Sequence, residues 1–365
     1  METARTHVRL DELGRILVIR LGALGDVVRT IPGVQALRAA APQAKIAWLV
    51  DDRCAAILEG LPYVDECLVL PRRELRAASR NPLAWGRWLH LWRSFRRRIR
   101  AWRADAVFDF HGLFKTGVLT RCARAPLRIG YVRGHSKEGS WRAYNVLVDP
   151  GPVRIPRLER NLALVEKFGA KRPAGPPELT FTQAHRARVE DILARLDASR
   201  VVALVPGSSR ARKHKRWPPG HFAALADLLA AKAGLIPLVV SGPGEQELAA
   251  RIRAAARCDV RLAPPVSLKE LALLLGRSCC AVGADTGPMH IASIMRTPVV
   301  TILGPTDPVQ NRPLPYSPSR LLEPDADVPH AQRRAADVPP ERVFEAVTEL
   351  LRQANDAKGR KQPGT

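Results

Sequence analysis

Residues Gly283, Ala284, Asp285, Thr286, Gly287, Pro288, Met289 and His290 stand between the apolar run 279–282 and a helix-like stretch at 291–295. A short strand, a tight glycine-bounded turn and a new helix bring backbone N–H groups to a helix N-terminus, which suits a phosphate. Asp285, Thr286 and His290 add side chains that can hold a ribose or a second phosphate. A counterpart lies near the start of the chain, where the apolar run 16–21 leads through Gly22, Ala23, Leu24 and Gly25 to Asp26 and then into a helix. Two strand–turn–helix elements, each with one aspartate, predict two halves facing one cleft.

Other residues could share that chemistry, and each has a plainer reading. Asp26 falls at or near a helix N-terminus, where capping is the simpler role and a catalytic carboxylate the sharper one. Arg29, one turn on, reads as an anion contact or as a solvated cation. The segment Val205-Pro206-Gly207-Ser208-Ser209 puts a glycine and two hydroxyls straight after a strand, and a basic run from Arg210 through Lys213, Lys215 and Arg216 follows. That combination suits a diphosphate more than a solvated loop. Glu245, in Gly242-Pro243-Gly244-Glu245, could accept a ribose hydroxyl or cap the next helix. His111, Gly112 and Lys115 follow another strand, at the end where open α/β sheets bind ligands. Neither GxGxxG nor the Walker pattern occurs.

The elements that must position these residues alternate. Strand patterns at 15–21, 45–50, 66–70 and 106–110 are interleaved with helix patterns at 27–40, 53–60, 82–103 and 114–122. Such alternation predicts βαβ units and a parallel sheet. The periodicity weakens from 153 to 177 as Pro and Gly accumulate, which places a domain boundary after residue 175. Strands at 201–205, 236–240, 280–282 and 298–303 repeat the logic, so two successive Rossmann-like domains are expected, at 1–175 and 176–339. The stretch 313–339 reads as irregular. A last helix spans 340–352, and the polar tail 353–365 reads as disordered.

Helix 85–103 carries Trp85, Trp88, Leu89, Trp92, Phe95, Ile99 and Trp102 at helical spacing, with many arginines and no acid. Its tryptophans are expected to pack on the sheet, and its arginines to face water or an anionic bilayer. The net charge of +23 points the same way, toward a polyanionic partner, unless it reflects an arginine-rich genome. No window reaches the roughly 18–20 apolar residues of a membrane span. The first residues show no signal-peptide pattern, and the six cysteines lack metal-ligand spacing. A reducing cytoplasm and no structural metal are therefore expected.

With these pieces placed, the chain resembles the ADP-heptose:lipopolysaccharide heptosyltransferases, glycosyltransferase family 9. The carrying segments are 16–32, Val205 to Ser209 with Lys215-Arg216-Trp217-Pro218, and Gly283 to His290 through Gly304-Pro305-Thr306-Asp307-Pro308. The resemblance implies an α/β GT-B enzyme with an acceptor-binding first domain, a nucleotide-sugar-binding second domain, and a last helix packed back on the first. It implies Asp26 as general base in an inverting transfer that needs no metal or other cofactor. Ser208, Ser209, Lys215, Glu245, Asp285, Thr286, Gly287 and His290 are then the donor contacts, and Arg29, His111 and Lys115 would meet the acceptor. The implied partners are a nucleotide-sugar, a phosphorylated lipid-linked saccharide and the anionic inner leaflet, with the enzyme cytoplasmic and peripheral to the membrane. A relative of the same fold using another nucleotide-sugar, an epimerase among them, or a basic nucleic-acid-binding protein are the alternatives; no RNA- or DNA-binding signature supports the last.

Overall fold

The computed structural model describes residues 8–194, 196–207, 216–325 and 333–359. The chain divides into two units, at Met1–Thr180 and Phe181–Thr365. The boundary falls a few residues after the expected position because the connecting chain is held by the first unit. Glu178 N–H donates to the Tyr63 hydroxyl at 3.0 Å, and the Thr180 hydroxyl donates to the Glu59 carbonyl at 3.0 Å.

The first unit is built on β1 (Arg15–Ile19), β2 (Lys45–Asp51), β3 (Glu66–Leu70), β4 (Ala106–Asp109), β5 (Leu127–Tyr131) and β6 (Val146–Val148). All are parallel and lie in the order β3-β2-β1-β4-β5-β6. The inner strands are buried on both faces, which is why they read as unbroken apolar runs. Helix Trp85–Ala101 covers one face through Phe95 and Ile99, and Trp102 donates from its indole N–H to the Ile16 carbonyl at 3.2 Å. Trp92 is packed against this core and stacks with Trp88, but Trp85 is 62% exposed, contrary to the packing expected of it. It is the first residue of the helix, ten residues before the first buried one, Phe95.

The second unit repeats the plan with β7 (Val201–Val205), β8 (Ile236–Val239), β9 (Arg261–Leu262), β10 (Cys280–Ala284), β11 (Val299–Ile302) and β12 (Ser319–Leu322). The order β12-β11-β10-β7-β8-β9 is the same doubly wound arrangement, read from the opposite edge. Strands β5, β6, β9 and β12 go beyond the sequence expectation. They are short, partly exposed strands such as Leu127–Tyr131, with Arg128 and Gly130 inside, and Ser319–Leu322, which lies in the stretch expected to be irregular. Cys280 is buried and Cys279 half-buried, and burial pushes the Cys279 thiol up to about 11.

The last helix is longer than expected. It runs from Pro340 to Gly359, so the described part of the expected disordered tail is helical; residues 360–365 lie outside the described chain. Its apolar face is used within the second unit. Val343, Val347 and Leu350 are fully buried in the core of the second, against helix Pro219–Ala233, β11 and β12. The indole N–H of Trp217 donates to the Val338 carbonyl at 2.9 Å and fixes where this helix begins. Among the described residues no helix is long and apolar enough to cross a membrane.

Leu350→Ala removes a fully buried side chain from that core. It is expected to destabilise the second unit by about 2–5 kcal/mol. In denaturant unfolding, the transition of the second unit should move and that of the first should not.

Candidate active site

In each sheet the strand order reverses between the first and fourth strand of the unit, at β1/β4 and at β7/β10. The carboxyl ends of strands at such a switch point are where open α/β sheets bind ligands. Asp26 follows β1, His111 follows β4, the Gly207 loop follows β7 and Asp285 follows β10. All four candidate motifs therefore lie at switch points.

Asp26 is the third residue of helix Leu24–Val28, whose N-cap is Ala23 with no side-chain cap hydrogen bond. Capping is thus not what its carboxylate does. Oδ2 instead pairs with Arg20 Nη2 at 2.7 Å, Oδ1 lies 3.6 Å from Arg29 Nη2, and Arg157 Nε reaches it at 4.0 Å. Arg20 leaves the end of β1 almost fully buried and also donates to the Phe110 carbonyl at 2.7 Å, past the end of β4. Arg157 opens helix Arg157–Glu166, which is seated by Asn161: its amide donates to the Arg29 carbonyl and the Thr30 hydroxyl, each at 3.1 Å. Burial acts to raise the Asp26 pKa, but the guanidiniums of Arg20, Arg29 and Arg157 outweigh it and hold the carboxyl far below the usual range. The side chain is still 24% exposed, so it is not sealed from solvent. Arg29 is buried and donates from Nε to the Gly25 carbonyl at 3.2 Å. It is neither a solvated cation nor an open acceptor contact; it shapes Asp26.

His111 accepts the Leu21 N–H at Nδ1 over 3.4 Å, which places the ring proton on Nε2. Burial, followed by Arg20 and Lys115, pushes its pKa down to about 2, so the imidazole is neutral. Its loop hangs on Asp109, a fully buried carboxylate at the end of β4. One oxygen accepts the His111 and Gly112 N–H groups at 2.8 and 3.2 Å, and the other accepts the Tyr144 hydroxyl at 2.7 Å. Lys115 is exposed, and partial burial followed by Arg72 lowers its pKa. Beside it at the end of β2, the buried Asp51 carboxylate holds Arg53 at 2.7 Å and Arg72 at 3.0 Å. The carboxyl ends of β2, β1 and β4 therefore present fixed cations around one reachable carboxylate.

In the second unit, Gly283 lets β10 close on β7: a Cβ there would stand 2.7 Å from the Val205 carbonyl oxygen. The Asp285 carboxylate turns onto His290 Nε2 at 3.3 Å, both side chains nearly buried. This pair braces the turn. Thr286 is the N-cap of helix Gly287–Ile294, yet its hydroxyl caps nothing; Oγ1 is buried with no hydrogen bond among the described residues. Gly287 follows as the first helical residue, with Pro288 behind it. Glu245 occupies an N-cap position without capping by its side chain. Its carboxylate accepts the Gly242 N–H at 2.9 Å, pairs with Arg216 at 3.4 Å, and lies so close over Gly207 that a Cβ there would collide with Oε2. Ser208, Ser209 and Lys215 lie outside the described residues.

Sequence reasoning missed Arg20, Arg157, Asp109, Asp51, Arg53 and Arg72. Arg20 carried a usable signal, a charge closing an apolar strand just before a glycine turn, and so did Asp109 and Asp51 at the ends of their strands.

The sequence profile of glycosyltransferase family 9 (heptosyltransferase) matches residues 92–336. The matched stretch begins downstream of Asp26, so the reading of that residue rests on the geometry of the first unit. Lipopolysaccharide heptosyltransferase 1 of Escherichia coli (strain K12) is 28% identical over 312 residues, covering 80% of this chain and 89% of that protein. The family 9 glycosyltransferase of Veillonella parvula superposes with a TM-score of 0.77 at 21% identity, over 95% of this chain and 99% of that one. The E. coli heptosyltransferase WaaC, solved with ADP-2-deoxy-2-fluoro heptose, gives 0.70 at 24% identity, over 92% and 99%.

The buried histidine makes stability depend on pH in a definite direction. His111 has a folded pKa of about 2, below its unfolded value of about 6.5. The unfolded chain thus binds the extra proton, and stability falls as pH drops below about 6.5. For Asp26 the folded value is also depressed, so its contribution is present above about pH 4 and is lost only below that. His111→Gln should therefore lose less stability than the wild type between pH 7 and 5 in denaturant titrations. An identical loss in both would contradict the neutral, buried imidazole.

Proposed function

This chain belongs to glycosyltransferase family 9, the heptosyltransferases, and we propose that it moves a heptose from ADP-heptose to the phosphorylated, lipid-linked inner core of lipopolysaccharide with inversion at the anomeric carbon. The relative's name supplies the acceptor class and the neighbour's bound ligand the donor class. The observation that carries the mechanism is Asp26, an ionised carboxylate held by three guanidiniums at the switch point of the first sheet.

A carboxylate pinned in its charged form is available as a proton acceptor at any working pH, though it is a weak base. Proton transfer from the acceptor hydroxyl to Asp26 then comes late, when the oxygen has begun to bond to the anomeric carbon and has become acidic. As that bond forms, the bond from the anomeric carbon to the diphosphate oxygen breaks, and its electron pair leaves with ADP. The nucleophile enters opposite the leaving group, so configuration inverts.

The developing diphosphate charge is met in this reading by protein donors rather than a metal ion. Gly287 N–H and the Thr286 hydroxyl stand at the start of a helix, and Ser208, Ser209 and Lys215 are assigned to the same task from the sequence. Asp285, His290 and Glu245 act one step back, by fixing the turns on which those donors stand. On the acceptor side Lys115 and Arg72 offer charge to an anionic saccharide, and His111 a neutral N–H. Arg29 is one of the groups that hold Asp26.

Asp26→Asn is expected to lower kcat by about 10²–10⁴-fold. The shift of thermal unfolding by ADP should remain as in the wild type, because that ligand binds the other unit. The same thermal-shift assay with ADP-, UDP- and GDP-sugars should favour ADP. Full activity in Asp26→Asn would remove the base assignment, and a UDP or GDP preference would overturn the donor.

A further inference from the structure

A cavity of about 440 Å³ in the first unit is lined by Arg96, Arg100, Arg121, Arg142, Phe114 and Val118 among others. It is formed where helix Trp85–Ala101 meets helix Phe114–Ala123 and the turn Ser140–Ala143. Arg121 and Arg100 are fixed in it by backbone carbonyls: Arg121 Nη2 donates to Arg142 at 2.6 Å and Arg100 Nε to Cys122 at 3.4 Å. The Arg142 guanidinium lies over the Trp141 ring at 4.8 Å, and Arg96 Nε is buried with no hydrogen-bond partner among the described residues. The one acid in the lining, Glu138, accepts the Phe114 N–H at 3.2 Å.

Helical spacing extends this cavity into a larger surface. Trp85, Leu89, Arg96 and Arg100 are separated by four, seven and four residues and so share one flank of their helix. Trp85 is 62% exposed and Leu89 43%; Leu83, in the turn before the helix, is 96% exposed, and Phe114 61%. Two cations farther round the helix are paired, Arg87 with Glu74 at 3.0 Å and Arg98 with Glu66 at 3.9 Å. No ion pair joins Arg96, Arg100, Arg121 or Arg142 to an acid among the described residues. These four unpaired cations stand beside the exposed apolar side chains.

We propose that this flank docks on an anionic phospholipid bilayer, with Arg96, Arg100 and Arg121 holding a headgroup phosphate in the cavity while Leu83, Trp85 and Leu89 enter the interface. Guanidiniums match phosphate oxygens bidentately, and apolar side chains beside them need hydrocarbon to leave water. A nucleic acid would satisfy the arginines but offers nothing to Leu83 and Leu89. The surface shares no residue with the proposed catalytic machinery, so it stands or falls apart from the transfer reading.

The test is co-sedimentation of the full chain with vesicles of phosphatidylcholine alone or with roughly a third phosphatidylglycerol, at low and high salt. Binding should require phosphatidylglycerol and weaken with salt. Arg96→Gln/Arg100→Gln should reduce partitioning by roughly thirtyfold, and Trp85→Ser/Leu89→Ser should reduce it comparably. Leu83→Ser, fully outside the core, should weaken it without any effect on folding. All should transfer sugar to a detergent-free, delipidated acceptor like the wild type. Saturating inorganic phosphate should compete only weakly, which separates a bilayer headgroup from a free phosphate. Wild-type partitioning in these variants, indifference of the wild type to vesicles, full competition by inorganic phosphate, or binding of oligoribonucleotide without vesicle binding would each overturn the proposal.

Discussion

A carboxylate that is largely withdrawn from water and must stay charged needs compensating charge from fixed groups, and the first unit is arranged to bring that charge to Asp26. Arg20 comes from the strand before the loop, Arg29 from the turn after it, and Arg157 from a helix more than a hundred residues on. Each is held by something else as well: Arg20 by the Phe110 carbonyl, Arg29 by Gly25, and the helix of Arg157 by Asn161. The ion cluster is therefore a junction of β1, β4 and two helices. Removing one member would leave an uncompensated charge, which costs more than the pair itself contributes.

The second unit uses the same sheet order for a different purpose. Its switch point carries no comparable cluster of cations among the described residues. What it offers is close backbone approach: Gly283 against Val205, and Gly207 beneath Glu245. Both glycines are required by space rather than by conformational freedom. Carboxylates here, Asp285 and Glu245, are absorbed in bracing loops. One switch point thus gathers charge around a carboxylate, and the other brings backbone close to backbone and side chain.

The alternation of apolar strands and helices was legible from spacing alone, because inner parallel strands are buried on both faces and read as continuous runs. So were the glycine turns that hold Asp26 and Asp285, since local chemistry marks a strand-to-helix turn. Illegible were the contacts that turn those residues into a site. Nothing near Asp26 in the chain points to Arg157, and nothing near His111 announces Tyr144 beneath Asp109. Edge strands such as Ser319–Leu322 escaped because half-exposed strands need no apolar pattern. The last helix shows an apolar face in sequence, but which core receives Val343, Val347 and Leu350 is decided by packing against Pro219–Ala233. Trp85 shows the reverse failure: helical spacing put it with its buried neighbours, and its place at the first turn leaves it in water.

Asp26 remains ionised because three guanidiniums outweigh its burial. Carbon-13 spectra of protein labelled at the aspartate carboxyl carbon, taken across pH and assigned by the signal lost in Asp26→Asn, report that ionisation directly. A resonance at the carboxylate position is expected that does not titrate down to the pH at which the fold itself is lost. A midpoint for Asp26 at or above the ordinary aspartate value, about 3.9, would contradict it.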